Sequence, residues 1–278
     1  MAQHIGIIQI SHPGPTDESQ DDSYWTDGLG SQLRSMYGAL LNMVPIYIGY
    51  HKLVHEDGRI PEIGFEYSPD DVRPRWPDPA HPQQVHLDIA VAHVEASEQL
   101  VLAHGARKLA TFEDHSVFQD PAGHPFCLYP GSSDTTYGEI SRIVFDCFSP
   151  RSLASFYEQL FDMRARVLDT LDRVEIAGGG HRVALAFQHS TCLPPQWPNP
   201  ARPHQLHLDV VLEEPDGRER AERLGARRLP LPERPDKDVY ADPAGHPFCL
   251  GIGLEGWPWG PAQVADYERW LAQLGTDD

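Results

Sequence analysis

The 278-residue chain is short of base, of cysteine and of any long apolar run, and each shortage closes off a class of function. Twenty-two Lys and Arg stand against 41 Asp and Glu, a formal net charge of −19. Nucleic-acid binding needs clustered cations to displace counterions, so it is disfavoured, as is an anionic membrane surface. Four scattered cysteines cannot build a disulfide framework, and Cys127 and Cys249, inside apolar strands, read as small buried hydrophobes. No apolar stretch approaches the roughly 18 residues that span a bilayer. The start, Met1-Ala-Gln-His-Ile-Gly, lacks the basic and apolar regions of a signal peptide, so a cytoplasmic location is expected. A Gly-rich phosphate loop and a Gly-x-Ser-x-Gly elbow are also missing, which removes conventional nucleotide and hydrolase readings. The acidic field would concentrate a cationic ligand, although acidity serves solubility equally well.

What the chain does have is a repeat. Asp120-Pro-Ala-Gly-His-Pro-Phe-Cys-Leu128 returns unchanged as Asp242-Pro-Ala-Gly-His-Pro-Phe-Cys-Leu250. Upstream, the segment from Trp76 to Asp88 matches that from Trp197 to Asp209, and Ser31–Tyr37 matches Arg151–Tyr157. Two homologous copies are expected: residues 1–130, with a loop insertion at 11–30, and residues 140–254. A linker at 131–139 joins them, and a Trp-rich segment with a helix follows at 255–278.

Within each copy the pattern reads strand, helix, strands, then strand, helix, strands. Ser149 and Pro150 open a helix whose apolar stripe is Leu153, Phe156, Tyr157, Leu160 and Phe161. Leu33, Met36, Tyr37, Leu40 and Leu41 repeat that stripe in the first copy. Gly105 and Gly225 suit left-handed helix ends. Asp-Pro-Ala-Gly suits a type I turn, which makes the nonapeptide structural, with His124 and His246 expected on exposed hairpin positions. The insertion, with Tyr24 and Trp25 among its acids, is either a solvated loop or one that contacts a ligand.

The repeated modules, the Trp-Pro…Gln-x-His-Leu-Asp segment and the Asp-Pro-x-Gly-x-x-Phe-Cys ending together resemble the vicinal oxygen chelate superfamily, in its glyoxalase-like and bleomycin-resistance-like branch. The resemblance implies an α+β fold: two tandem domains of paired βαβββ modules, whose curved mixed sheets enclose cavities. Its members include glyoxalases, extradiol dioxygenases, epimerases, thiol transferases that destroy fosfomycin, and proteins that sequester antibiotics.

Carried onto this chain, the resemblance implies His86 and His207 as ligands opening the second module of each copy. His4 falls near the first-strand ligand position, where the second copy has Arg142. Glu66 falls on a fourth strand, with Gln188 as its counterpart. A metal-binding member carries Glu eight residues into the closing motif, where both copies here have Cys.

His4, Glu66 and His86 would form a two-histidine, one-carboxylate set for Fe, Mn, Ni or Zn; alternatively His-Leu-Asp serves the fold by hydrogen bonding. The second copy, with His207 alone, reads as metal-free. His204 shows no ligand spacing.

The first expectation is therefore a cavity without a cofactor that binds or transforms a small molecule, a natural product, antibiotic or xenobiotic of cationic or aromatic character. Trp76, Trp197, Tyr24 and Trp25 would line it, and His86 with Asp88, or His207 with Asp209, would supply acid–base chemistry. The alternative is a metal-dependent lyase, isomerase or extradiol-type dioxygenase with its site in the first copy. A non-catalytic assembly partner comes last. The chain is expected to be a monomer or homodimer.

Overall fold

The structure is a computed structural model and describes residues 3–13, 28–46, 52–68, 72–131, 137–199, 201–212, 216–230 and 238–252. Tyr24, Trp25 and the C-terminal segment lie outside these.

Four βαβββ modules follow one another. The first is β1 (His4–His12), α1 (Leu29–Leu41), β2 (Val44–Ile46), β3 (Lys52–Val54) and β4 (Glu62–Tyr67). The second is β5 (Val85–Val91), α2 (Val94–Ala103), β6 (Arg107–Thr111), β7 (Ser116–Gln119) and β8 (Pro125–Pro130). The third is β9 (Glu139–Cys147), α3 (Pro150–Phe161), β10 (Ala165–Asp169), β11 (Arg173–Ala177) and β12 (Ala184–His189). The fourth is β13 (Leu206–Leu212), α4 (Gly217–Leu224), β14 (Arg227–Arg228), β15 (Asp238–Ala241) and β16 (Pro247–Ile252).

The helices begin and end for local reasons. Pro150 occupies the first turn of α3, where its missing N–H costs nothing. Asn42 and Asp162 close α1 and α3 in the left-handed conformation, and Gly225 does so for α4. Both expected stripes are buried in full. Each Leu or Phe so buried contributes about 1.5–3 kcal/mol. They pack with alternate strand residues, Ile8 and Ile10, Leu87 and Ile89, Phe145, Leu208 and Val210 among them, into one continuous core. The opposite face of each sheet is left to the intervening residues.

The strands assemble across the repeat. Sheet A has the order β14-β15-β16-β13-β1-β4-β3-β2, so the first module pairs with the fourth; sheet B, β10-β11-β12-β9-β5-β8-β7-β6, pairs the third with the second. Each sheet is sewn at its centre by an antiparallel contact between copies, β1 with β13 and β5 with β9. Each helix-free face is thus built from both copies, whereas the sequence expectation confined each cavity to one.

A near-twofold contact joins the two Trp-Pro loops. The Gln84 N–H donates to Gln205 Oε1 at 3.0 Å and the Gln205 N–H to Gln84 Oε1 at 3.2 Å. Their side-chain amides donate to the Pro203 and Pro82 carbonyls at 2.8 and 2.9 Å. The repeated Gln therefore serves assembly of the copies.

The closing turns behave as structure, with one correction. His124 and His246 are buried, at 6% and 1% exposure, and not exposed hairpin residues. The turn aspartates cause this: Asp120 Oδ1 accepts the backbone N–H groups of Gly123 and His124, and its other oxygen faces His124 Nδ1. Asp242 repeats the arrangement with Ala244 and His246. Each aspartate also accepts the hydroxyl of the helix tyrosine, Tyr37 at 3.1 Å and Tyr157 at 3.0 Å, tying turn to helix.

Candidate functional site

Polar groups converge on the helix-free face of sheet A. Register places Gln9 opposite His207, Ile7 opposite Asp209, Ser11 beside Glu66 and Asp209 beside Cys249. Four adjacent strands, two from each copy, therefore contribute to one patch.

His207 sits at its centre. Its Nε2 lies 3.4 Å from Asp209 Oδ1, and its Nδ1 lies 3.8 Å from Glu66 Oε2. Gln9 Nε2 donates to the second Asp209 oxygen at 3.1 Å, fixing that carboxylate. Gly64 makes this possible, since a Cβ there would lie 2.0 Å from Gln9 Oε1. Burial alone would lower the His207 pKa, but Cys249 and Asp209 beside it raise it well above the usual imidazole range. His204 sits edge-on to His207, with ring centroids 4.9 Å apart. Its Nε2 is 3.0 Å from Ser11 Oγ and 3.7 Å from Glu66 Oε2. Burial depresses His204, with Glu66 only partly offsetting it. One imidazole is thus pushed toward its charged form beside one pushed toward its neutral form, and the carboxylate they share is 41% exposed.

The apolar wall of this patch comes from Leu229, Val239 and Ala241, against which Trp197 and Cys249 pack. Trp197 meets the His204 ring edge-on at 5.3 Å. Trp76 holds the equivalent place in the first copy and is half-buried.

The same face of sheet B is closed by arginine. Asp88, fully buried, receives Arg142 Nε at 2.8 Å and Arg173 Nη2 at 3.3 Å. Arg173 also donates to Glu175 at 2.7 Å and to Gln188 at 3.1 Å, and Gln188 donates to Asp146 at 2.6 Å. Burial opposes the charge on Asp88, yet His86 and Arg142 hold it below the usual carboxylate range. Burial, with Asp88 adjacent, pushes the Cys127 thiol up. Arg142 lies over the Tyr129 ring at 4.7 Å, and Tyr129, His115 and Phe112 continue the stack. His86 Nε2 is 3.5 Å from Asp88 Oδ1.

The structure does not bring His4, Glu66 and His86 together. Glu66 belongs to sheet A and His86 to sheet B, and His4 stands opposite Val211 with its ring 5.0 Å from His181. Both central strands carry the same β-bulge, at Gly6 in β1 and at Ser141 in β9, so Ile7 is the counterpart of Arg142, each opposite the Asp of a His-Leu-Asp segment, and His4 lies three residues before it. The pairs His86 with Asp88 and His207 with Asp209 do lie together.

Among the described residues, three groups have ligand atoms within 4.8 Å of one another: Glu66 with His204 and His207, His207 with Asp209 and Cys249, and His86 with Asp88 and Cys127. Two arginines beside Asp88 make the last unsuited to a cation. The first suits a divalent ion: His207 presents Nδ1 toward Glu66 while Asp209 backs Nε2, the carboxylate–histidine arrangement that orients a metal ligand.

The expectation that His204 shows no ligand spacing does not hold, since it converges with Glu66 and His207, and Arg173 was not singled out from sequence. The spacing His204-x-x-His207 was a usable signal for His204, and the alternating Arg173-x-Glu175 a weak one for Arg173.

The family model for the glyoxalase-like domain matches residues 17–129 and again 142–251. The chain belongs to the glyoxalase-like domain family. With it goes membership of the vicinal oxygen chelate superfamily, which the arrangement of four βαβββ modules supports. Among solved structures, this glyoxalase-like protein is similar to a putative dioxygenase from Bacillus subtilis, at 13% identity and TM-score 0.59, over 95% of this chain and 88% of that one. It is also similar to glyoxalase I from Zea mays, at 13% identity and TM-score 0.57, over 90% and 92%. At such identities the likeness shows the fold. Among curated proteins, no match is found. No helix among the described residues is long and apolar enough to cross a membrane.

Proposed function

We propose that this glyoxalase-like protein binds, and transforms by acid–base chemistry, a small molecule on the helix-free face of sheet A, without needing a metal. One observation carries the reading. Equivalent positions of the two sheets hold Glu66 with His207 in one, open to solvent through Glu66, and Gln188 with His86 in the other, where Asp88 is locked by two guanidinium groups.

In this reading His207, its pKa raised by Cys249 and Asp209, donates a proton to the ligand and Glu66 accepts one or orients a cationic group. Asp209 and Gln9 hold the His207 ring, and Trp197 supplies an aromatic wall for a planar ligand. Cys249, standing where the superfamily's metal-binding members have Glu, removes one carboxylate from the set such a site would use.

A panel of cationic and aromatic natural products, scored by thermal shift with and without chelator, tests the proposal. It expects saturable binding that is indifferent to chelator and lost in Glu66→Gln and Trp197→Ala. Binding that survives both substitutions would overturn it.

A second reading rests on the convergence of Glu66, His204 and His207. A divalent ion held by these three would polarise vicinal oxygens of a substrate as a Lewis acid. Elemental mass spectrometry of protein purified without a metal-affinity tag separates the readings. One metal per chain, lost in His207→Asn, favours the second; its absence after loading favours the first.

A further inference from the structure

The connection between β3 and β4 meets the third module at a small cavity that shares no residue with the sheet A patch. His55, Arg59, Ile60 and Pro61 come from the first copy, and Glu139, Arg182 and Val183 from the second. Its volume is about 60 Å³, several times the roughly 10–15 Å³ that one water needs.

Neither of its two guanidinium groups has a carboxylate within hydrogen-bond length, Arg59 being partly buried and Arg182 exposed. Arg142, Arg151, Arg164 and Arg166 each take a carboxylate at 2.5–2.9 Å. Arg59, only 24% exposed, reaches Asp57 at 3.8 Å and Glu139 at 4.0 Å, both beyond hydrogen-bond length. Arg182 makes no hydrogen bond or ion pair among the described residues. His55 lines the same cavity, and its Nδ1 is buried and has no hydrogen-bond partner.

Two forked donors and an open imidazole nitrogen, contributed by both copies around one cavity, are a recognition set for a compact oxyanion. We infer that this cavity binds a phosphate or carboxylate group, bridging the two copies through Arg59 and Arg182 with His55 as a third donor. Burial, with both arginines adding to it, lowers His55 to about 4, so at neutral pH it is an uncharged ring able to present Nδ1–H. Glu139, half exposed, yields its long contact with Arg59 to the incoming anion.

The test is the melting temperature of the full chain in sodium phosphate, sodium acetate and sodium chloride at equal ionic strength and pH 7.5. The expected result is a saturable rise in Tm with phosphate, acetate or both, and none with chloride. A response to phosphate alone assigns the occupant as phosphate, and a response to acetate as carboxylate. Arg182→Gln, which removes no existing contact, keeps the Tm in chloride and loses at least half of the oxyanion response; Arg59→Gln/Arg182→Gln abolishes it. Equal responses of the native chain to all three salts, or an oxyanion response left intact by Arg182→Gln, would overturn the inference. Because the site is separate, either result leaves the sheet A reading where it stands.

Discussion

Asp88→Asn keeps the shape of the side chain and removes the charge that two arginines share. Asp88 is fully buried, while Arg142 and Arg173 are each 24% exposed in their side chains. Removing one partner of a buried ion pair costs about 3–5 kcal/mol because the other charge is stranded. Partial hydration of the arginines, and Glu175 beside both, place the expected loss near the lower limit, about 3 kcal/mol. At about 2–4 °C per kcal/mol for chains of this order, Tm falls by roughly 6–12 °C.

The sign of the pH dependence follows from the depressed carboxyl. Its stabilisation is complete above the unfolded value, near 3.9, and drains away as pH falls through the lower folded value. The gap between native and Asp88→Asn proteins should therefore be constant from pH 7 to about 5 and shrink below about 4.

The equivalent change in sheet A, Asp209→Asn, removes contacts to Gln9 and His207, but His207 can release its proton where the arginines beside Asp88 cannot, so the cost should stay near 1 kcal/mol, about the worth of one hydrogen bond. Calorimetric melting of the three proteins across that range is the assay. Equal losses for the two variants, or a loss under about 1 kcal/mol for Asp88→Asn, would refute the reading of sheet B as a locked ion network.

Three further outcomes are expected. Gly64→Ala places a methyl where the Gln9 amide lies, so it should free Asp209 and weaken ligand binding at sheet A. The displaced atoms are the end of a flexible side chain, so unfolding should show a loss of only about 1 kcal/mol. Tyr157→Phe leaves Asp242 without the buried hydroxyl it accepts and should cost about 1–3 kcal/mol by denaturant unfolding, with ligand binding unchanged. The folded His207 is raised above its unfolded value, near 6.5, so its contribution to stability is complete below that pH and lost as pH rises through the folded value. Asp209→Asn should lower the His207 midpoint in an NMR titration; an unchanged midpoint would contradict the pairing of the two residues.

The modules were readable in the sequence because duplication wrote them twice and the helix stripes were complete. How the modules pair was not. Alternation along β1 and β13 looks the same whichever strand lies beside them, so nothing local says that Glu66 faces His207 instead of His86. The alignment of β1 with β9 had no anchor in the sequence, so His4 was set near Arg142 when it lies three residues before that strand position, which Ile7 holds. His124 and His246 looked exposed because polar residues after a turn glycine usually are; the aspartate that opens each turn folds back as their buried partner, a role its turn-forming position had seemed to account for. Arg142 was recognised as unable to bind a metal, but its role beside Asp88 needed the third dimension.

The most direct test of the account is titration calorimetry with whichever cationic or aromatic compound from the panel binds, on the native chain and on Glu66→Gln, His207→Asn and His86→Asn. The account predicts one ligand per chain, with affinity falling at least tenfold in Glu66→Gln and in His207→Asn and unchanged in His86→Asn. Loss of binding in His86→Asn alone would place the functional site in sheet B and contradict it.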